Sequence, residues 1–263
     1  MKLAVNYSNT LIDLIKEQSV GIDLIKCPDW EGMLEEARPY GPITIHFDLH
    51  VGLGEIVNLD LSRIERLKNQ TATPHVNAHL VTPRQFNAAS KTELQKIQDL
   101  WRKELGILVD CFGPDHVALE HFPYTMNNPH IRAAADLQNY SQVIEETGCR
   151  LLLDLAHARI TADTLGIDVK DYIQGMPLNR LVELHTTGVQ MHAGVLTDHF
   201  RLGQEDWAIL EWALGEIRAG KWLEPRLIAF EYGGVGDVFV WRTDVNVLRT
   251  QIPRLYKMIH KRS

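Results

Sequence analysis

Six successive apolar runs in this chain each close on a His, Asp or Glu, and they belong to a longer series of eight short runs separated by segments of helical periodicity. The eight are Leu3 to Tyr7, Ile22 to Lys26, Ile43 to Phe47, His75 to Leu80, Val117 to Glu120, Leu151 to Asp154, Leu181 to His185, and Leu227 to Glu231. Short β-branched runs alternating with helices are the pattern of βα units in a parallel sheet. Eight such units in 263 residues predict an α/β fold of the (β/α)8 barrel type, whose usual length is ~250 residues. No Gly/Ser linker, charge block or fixed-period repeat divides the chain, so residues 1–263 are expected to form a single barrel domain.

The intervening segments carry helix start and stop signals. Ser8 or Asn9 can cap a helix from Thr10 to Glu17, with Leu11, Ile12 and Ile15 on one stripe. Ser90 followed by Glu93 offers a capping box to a long helix running towards Val109. Asp136 to Thr147 stops at Gly148, Glu205 to Ala219 stops at Gly220, and Thr243 to Ile259 is expected to be the last helix. The stretch from Thr186 to Gly203 reads as a long irregular loop. Gly233-Gly234-Val235-Gly236 lies where barrels often bind phosphate, but turn glycines explain it equally well.

The formal charge of −7 provides no global attraction to phosphate backbones or anionic lipid, so nucleic acid is not an expected partner. No apolar run approaches the ~18 to 20 residues that cross a bilayer, so no membrane role is expected. The amino terminus lacks a secretory pattern and suggests a cytoplasmic protein. Cys27, Cys111 and Cys149 lack CxxC spacing and read as buried free thiols.

In a parallel barrel the carboxyl ends of the strands converge on one mouth. The third to eighth runs bring to it His46, His79, Glu120, Asp154 with His157 just beyond, His185 and Glu231. Imidazoles mixed with carboxylates suit zinc, iron or manganese, whereas calcium and magnesium prefer all-oxygen shells. Without a cation, Glu120, Asp154 and Glu231 would repel one another in a partly desolvated mouth. Each residue taken singly has a plainer reading as a helix cap or a core hydrogen-bonder. The recurrence along six strands is what favours metal. His50 competes with His46 but falls past the expected strand end, His75 sits at the opposite end of its strand, and His121 would point away from the mouth.

Taken in order, His46, His79, Glu120, Asp154 with His157, His185, Asp198 with His199, and Glu231 resemble the metal-site pattern of two branches of the xylose-isomerase-like TIM-barrel superfamily. One is the multinuclear non-haem iron oxidative enzymes, long catalogued as a domain of unknown function. The other is endonuclease IV. Pro42 to Gly54 and the closing Ala229-Phe230-Glu231 are more similar to the iron family. Both families usually show Asp-x-His after the seventh strand, whereas Asp198 and His199 are adjacent here, which leaves the role of His199 open. The iron family commonly places Asn after its fifth-strand Glu, where this chain has His121.

The resemblance to the iron family implies two or three Fe ions and oxidative modification of a small molecule or of a peptide made on the ribosome, with a peptide-delivering partner protein as a further expectation. No separate catalytic base is assigned. Glu120, Asp154, His185 and Glu231 are also similar to the four-ligand site of mononuclear sugar isomerases and epimerases, which implies one Mn or Co. The endonuclease IV resemblance implies three Zn ions and phosphodiester cleavage. A metal-bound scaffold without chemistry is the remaining alternative.

Overall fold

Beyond the third expected strand lies a short strand that the sequence reading did not include, and the two edges bring the sheet round on itself. In the computed structural model, described at residues 1–87, 90–235 and 243–261, β3 (Ile43–His46) pairs in parallel with β2 (Leu24–Pro28), while β4 (His50–Val51) pairs with β5 (Val76–Leu80). The sheet runs on through β6 (Val117–His121), β7 (Arg150–Asp154), β8 (Leu181–Thr186), β11 (Leu227–Phe230) and β1 (Lys2–Asn6), back to β2. All of these pairings are parallel. Each of the eight expected strands therefore forms, within one or two residues of the sequence reading. Side chains span the gap between β3 and β5, where Thr73 Oγ1 accepts from Ile45 N at 2.8 Å and Asn77 Oδ1 from Phe47 N at 2.8 Å.

The helices are α1 (Asn9–Lys16), α2 (Glu31–Ala37), α3 (Leu61–Asn69), α4 (Lys91–Phe112), α5 (Leu137–Thr147), α6 (Leu155–Leu165), α7 (Val169–Gln174), α8 (Gln204–Arg218) and α9 (Val245–His260). Ser8, not Asn9, caps α1, its hydroxyl accepting from Leu11 N, a contact worth about 1 kcal/mol. Ser90 accepts from Glu93 N at the start of α4, but the Glu93 carboxylate accepts from Asn87 N, so the box forms only in half. Gly148 ends α5 with a left-handed φ of 72°. Gly236 lies outside the described residues.

Two expectations are corrected. Residues 186–203 are no irregular loop, because β9 (Gly188–His192) and β10 (Val195–Phe200) pair as an antiparallel hairpin over the mouth. Its two-residue connection, Ala193-Gly194, has φ of 49° and 82°, and Ala-Gly is a weak sequence cue for a turn that needs two positive φ values. Cys27 and Cys149 are buried as expected, whereas Cys111 is exposed near the end of α4.

Strand alternation sorts the side chains into two cores. Residues such as Leu3, Val5, Ile25, Cys27, Leu151 and Leu153 pack outward among the helices. Ala4, Leu24, Leu227 and Ala229 form one cluster inside the barrel, and Ala118, Leu152 and Val182 another. One pleat further along the same strands stand Lys26, Glu120, Asp154, His185 and Glu231, all buried. Apolar packing plugs the barrel, and a charged layer closes it above.

Candidate metal centre

Parallel register places His79 beside Glu120 and Asp154 beside His185, so the strand-end groups meet as neighbours across the sheet. His79 Nε2 lies 3.2 Å from Glu120 Oε2, and His46 Nε2 lies 3.8 Å from the same oxygen. His185 Nδ1 lies 3.6 Å from Glu120 Oε1, 3.8 Å from Asp154 Oδ2 and 3.3 Å from Glu231 Oε1. His157, in the first turn of α6, completes the ring. Its Nδ1 is 3.2 Å from Glu120 Oε1, and its Nε2 is 3.2 Å from Asp198 Oδ2. Asp154 also caps α6, with Oδ1 accepting from Ala156 N at 2.6 Å and His157 N at 2.8 Å, which leaves Oδ2 aimed at the centre.

Ligand atoms of His46, His79 and Glu120 lie within 4.8 Å of one another. So do those of His46, His185 and Glu231, of Glu120, Asp154 and His157, and of Asp48, His50 and His79. Glu120 Oε2, Asp154 Oδ2 and His185 Nδ1 are buried without a hydrogen-bond partner. Buried polar atoms are nearly always satisfied, and orphan ligand atoms converging from different strands are what a cation would satisfy. The donor set, imidazole with carboxylate, fits a transition metal.

The electrostatics of these side chains pull against one another. Burial raises the Asp154 carboxyl above its usual range, and Glu231 and Glu120 add to the rise. Burial alone would favour a neutral His185, yet Glu231 and Glu120 outweigh it and push that imidazole up to about 10. His157 is likewise raised despite burial, by Asp154, Asp198 and Glu120. Glu120 is held low against its burial by His79 and His185. Burial and the charge of Lys26 hold His46 well below its ordinary value, so its ring is neutral. The surrounding carboxylates thus favour the protonated form of two histidines, His157 and His185.

Asp198 and His199 reach the mouth through a β-bulge. Thr197 pairs with Gln190 and Phe200 with Gly188, so Asp198 and His199 together stand opposite the single residue Val189. His199 takes a left-handed φ of 60°. Adjacent residues on a regular strand face opposite sides, but here both line the same cavity. His199 Nδ1 donates to the Glu231 carbonyl at 2.8 Å, and Nε2 is 3.9 Å from Asp198 Oδ1.

Four further residues belong to the centre. Lys26 pairs with Glu231 through Oε1 and lies 3.1 Å from His185 Nε2. Glu183 Oε1 lies 2.7 Å from that same nitrogen, and its Oε2 is 2.6 Å from His75 Nε2. Asn77 Nδ2 lies 3.0 Å from His46 Nδ1 and holds Phe47 from both sides, accepting from its N and donating to its O at 3.1 Å. Three of the four were legible by period two: Lys26 is the sole charge within the apolar run Leu24–Cys27, Glu183 precedes His185 by two, and Asn77 precedes His79 by two. His121, as expected, faces away from the mouth and packs against Tyr140 and Tyr172.

Above the centre is a cavity of about 630 Å³. Tyr7, Pro28, Trp30, Phe122, Pro123 and Val235 supply its apolar walls, and the histidines and carboxylates its floor. It has room for a side chain or a small molecule with one polar end on the floor.

A parallel barrel with this charged layer at its carboxyl mouth has the fold of the xylose-isomerase-like TIM barrels among solved structures. The sequence model of the family described as "RiPP precursor modification enzyme MbnB/TglH/ChrH" matches residues 110–224. The resemblance drawn from the strand ends is thus to this family, and the matched span carries Glu120, Asp154, His157, His185, Asp198 and His199. A UPF0276 protein of Acaryochloris marina is 23% identical over 218 residues, 81% of this chain and 74% of the relative. One of Caulobacter vibrioides is 24% identical over 72% of this chain and 68% of its own length. Among solved structures, the zinc-bound IOLI protein matches with a TM-score of 0.63 at 16% identity, covering 98% of each chain. Endonuclease IV from Thermus thermophilus matches at 0.55 and 14% identity, over 97% of this chain and all of the other. Likenesses at such identity concern the fold. Among the described residues no helix is long and apolar enough to cross a membrane.

Proposed function

We propose that this chain is a metal-dependent enzyme that holds two or three iron ions at the barrel mouth and oxidatively modifies a residue of a ribosomally made peptide. The observation that carries the reading is the convergence of unpartnered Glu120, Asp154 and His185 atoms with His46, His79 and His157 on one floor. The family's description as a RiPP precursor modification enzyme supports a peptide as substrate. The residues that would hold metal are His46, His79 and Glu120 in one group, Glu120, Asp154 and His157 with Asp198 beside them in a second, and His46, His185 and Glu231 in a third. Bound iron would supply open coordination positions for dioxygen and for a substrate thiolate or amide.

The chain's own residues prepare that floor. Asn77 fixes the His46 ring beside β3, and Glu120 would offer a carboxylate oxygen to each of two groups. The His121 carbonyl accepts from His157 Nδ1 at 2.9 Å and turns Nε2 towards Asp198. Tyr7, Trp30 and Phe122 shield the floor from bulk water while leaving an opening for a side chain.

A mononuclear sugar isomerase or epimerase is the second reading, favoured by the approach of His185 Nδ1 to Glu120, Asp154 and Glu231 together. An anomalous-scattering map at the iron and zinc edges separates the two. Two or more iron peaks, with a visible band on adding thiol and air, support the proposal; one manganese per chain with keto-sugar conversion would replace it.

A further inference from the structure

Among the described residues, Lys26 is the one strand lysine in the charged layer. It faces inward from β2 and is 4% exposed. Its ammonium pairs with Glu231 Oε1, the same oxygen that lies 3.3 Å from His185 Nδ1, and it also stands 3.1 Å from His185 Nε2. It therefore sits against two of the three residues of the His46–His185–Glu231 group. It makes no such contact with Glu120, Asp154 or His157.

We propose that the Lys26 ammonium is the resident cation of the His46–His185–Glu231 group, so that this chain carries metal at His46–His79–Glu120 and at Glu120–Asp154–His157 but not at the third position. The inference rests on the metal reading above and fixes its ion count.

Two observations carry it. A dication bound through Glu231 Oε1 would have to share that oxygen with a buried ammonium, and two cations on one oxygen in a desolvated site repel strongly. Charge balance points the same way. The carboxylates around the centre are the buried Glu120, Asp154, Glu183 and Glu231 and the half-buried Asp198. Two dications and one ammonium balance these five carboxylates, whereas a third dication beside Lys26 adds a net excess of positive charge to the floor. Lys26 also removes Glu231 from the four-ligand arrangement of a mononuclear sugar enzyme.

The test is elemental analysis and an anomalous map on the whole chain, stripped with chelator and reloaded separately with Fe(II) and Zn(II). Wild type is expected to take up two ions, with no peak among His46, His185 and Glu231. Lys26→Met should gain a third ion at that position, and Lys26→Arg, which keeps the charge, should stay at two. Three ions in wild type, a single ion, or a Lys26→Met variant that still binds two would each overturn the proposal. Should Lys26→Met fail to fold, the wild-type map decides alone, since peaks at the first two groups only support the assignment and a peak at the third refutes it. A wild type that binds no ion in any group overturns the metal reading itself, a result distinct from all of these.

Discussion

Glu183 and His185 face the barrel interior two positions apart on β8, and the carboxylate of one lies 2.7 Å from Nε2 of the other. With Nε2–H donating to Glu183, the opposite nitrogen, Nδ1, is the atom left facing Glu120, Asp154 and Glu231. His75 anchors the far oxygen of Glu183 at 2.6 Å, so three residues from two strands fix the orientation of one ring. Nδ1 is thereby aimed at the Glu120–Asp154–His157 group, where it would add a ligand to a bound ion, and a carboxylate behind a ligating imidazole typically accounts for roughly 10–100-fold in metal affinity.

Glu183→Gln is accordingly expected to weaken metal binding by roughly 10–100-fold, because the neutral amide no longer enforces the Nδ1 lone pair. Competition against a coloured chelator measures it. An unchanged affinity would show that the ring is oriented by its neighbours at the mouth alone.

The bulge at Asp198 and His199 makes a second prediction. A left-handed backbone costs a β-branched residue about 1–2 kcal/mol, while Asn adopts it readily. His199→Asn and His199→Val both delete the bond to the Glu231 carbonyl, so the difference between them isolates the φ of 60°. Chemical denaturation should find the Val variant less stable than the Asn variant by about that amount. Equal stabilities would mean that the bulge relaxes.

Gly52 follows β4 with a φ of 118°, and a Cβ there would stand 2.1 Å from Val81 O and 2.6 Å from Trp101 Nε1. Trp101 itself donates to Val81 O at 2.7 Å, and the buried Glu104 accepts from Gly52 N and Ile56 N. Helix α4 thus clamps the segment that follows His50. Gly52→Ala is expected to cost about 2–4 kcal/mol, read as a lower unfolding midpoint. A change under about 0.5 kcal/mol, the range of ordinary surface substitutions, would show that the clamp yields.

Much of this arrangement was legible because it rests on periodicity. Short apolar runs located eight of the nine strands of the parallel sheet, and the polar residues at or near their ends located His46, His79, Glu120, Asp154, His185 and Glu231 at one mouth. The strand β4 was not legible, because the two residues His50 and Val51 are too short a run to show a period. The hairpin was missed for want of Asn-Gly or Asp-Gly at its turn. The missing Asp-x-His spacing looked like a departure because sequence spacing assumes regular alternation, which the bulge breaks. Lys26 escaped notice because a lysine is read as a surface residue unless its counter-ion is known, and Glu231 lies 205 positions away.

The raised histidines give the metal-free protein a distinctive pH profile. His185 is raised from 6.5 to about 10, so its contribution to stability is complete below pH 6.5 and is lost as pH rises through about 10. Asp198 is held down from 3.8 to about 2, against its burial, by His199 and His157. Its contribution is complete above pH 3.8 and disappears as pH falls through about 2. Asp154, raised by burial, acts in the opposite sense, since its ionisation is disfavoured in the folded chain. Chelator-stripped protein should therefore lose stability steadily from about pH 6.5 upward, where an ordinary carboxylate-stabilised domain would not. An ion held by Glu120, Asp154 and His157 would lie within reach of His185 Nδ1 and compete with its proton, so affinity should rise with pH over the same window. Melting temperatures of stripped and reloaded protein from about pH 5 to about pH 10 should diverge, the stripped form falling while the reloaded form holds. Parallel curves would show that no proton is exchanged for metal at His185.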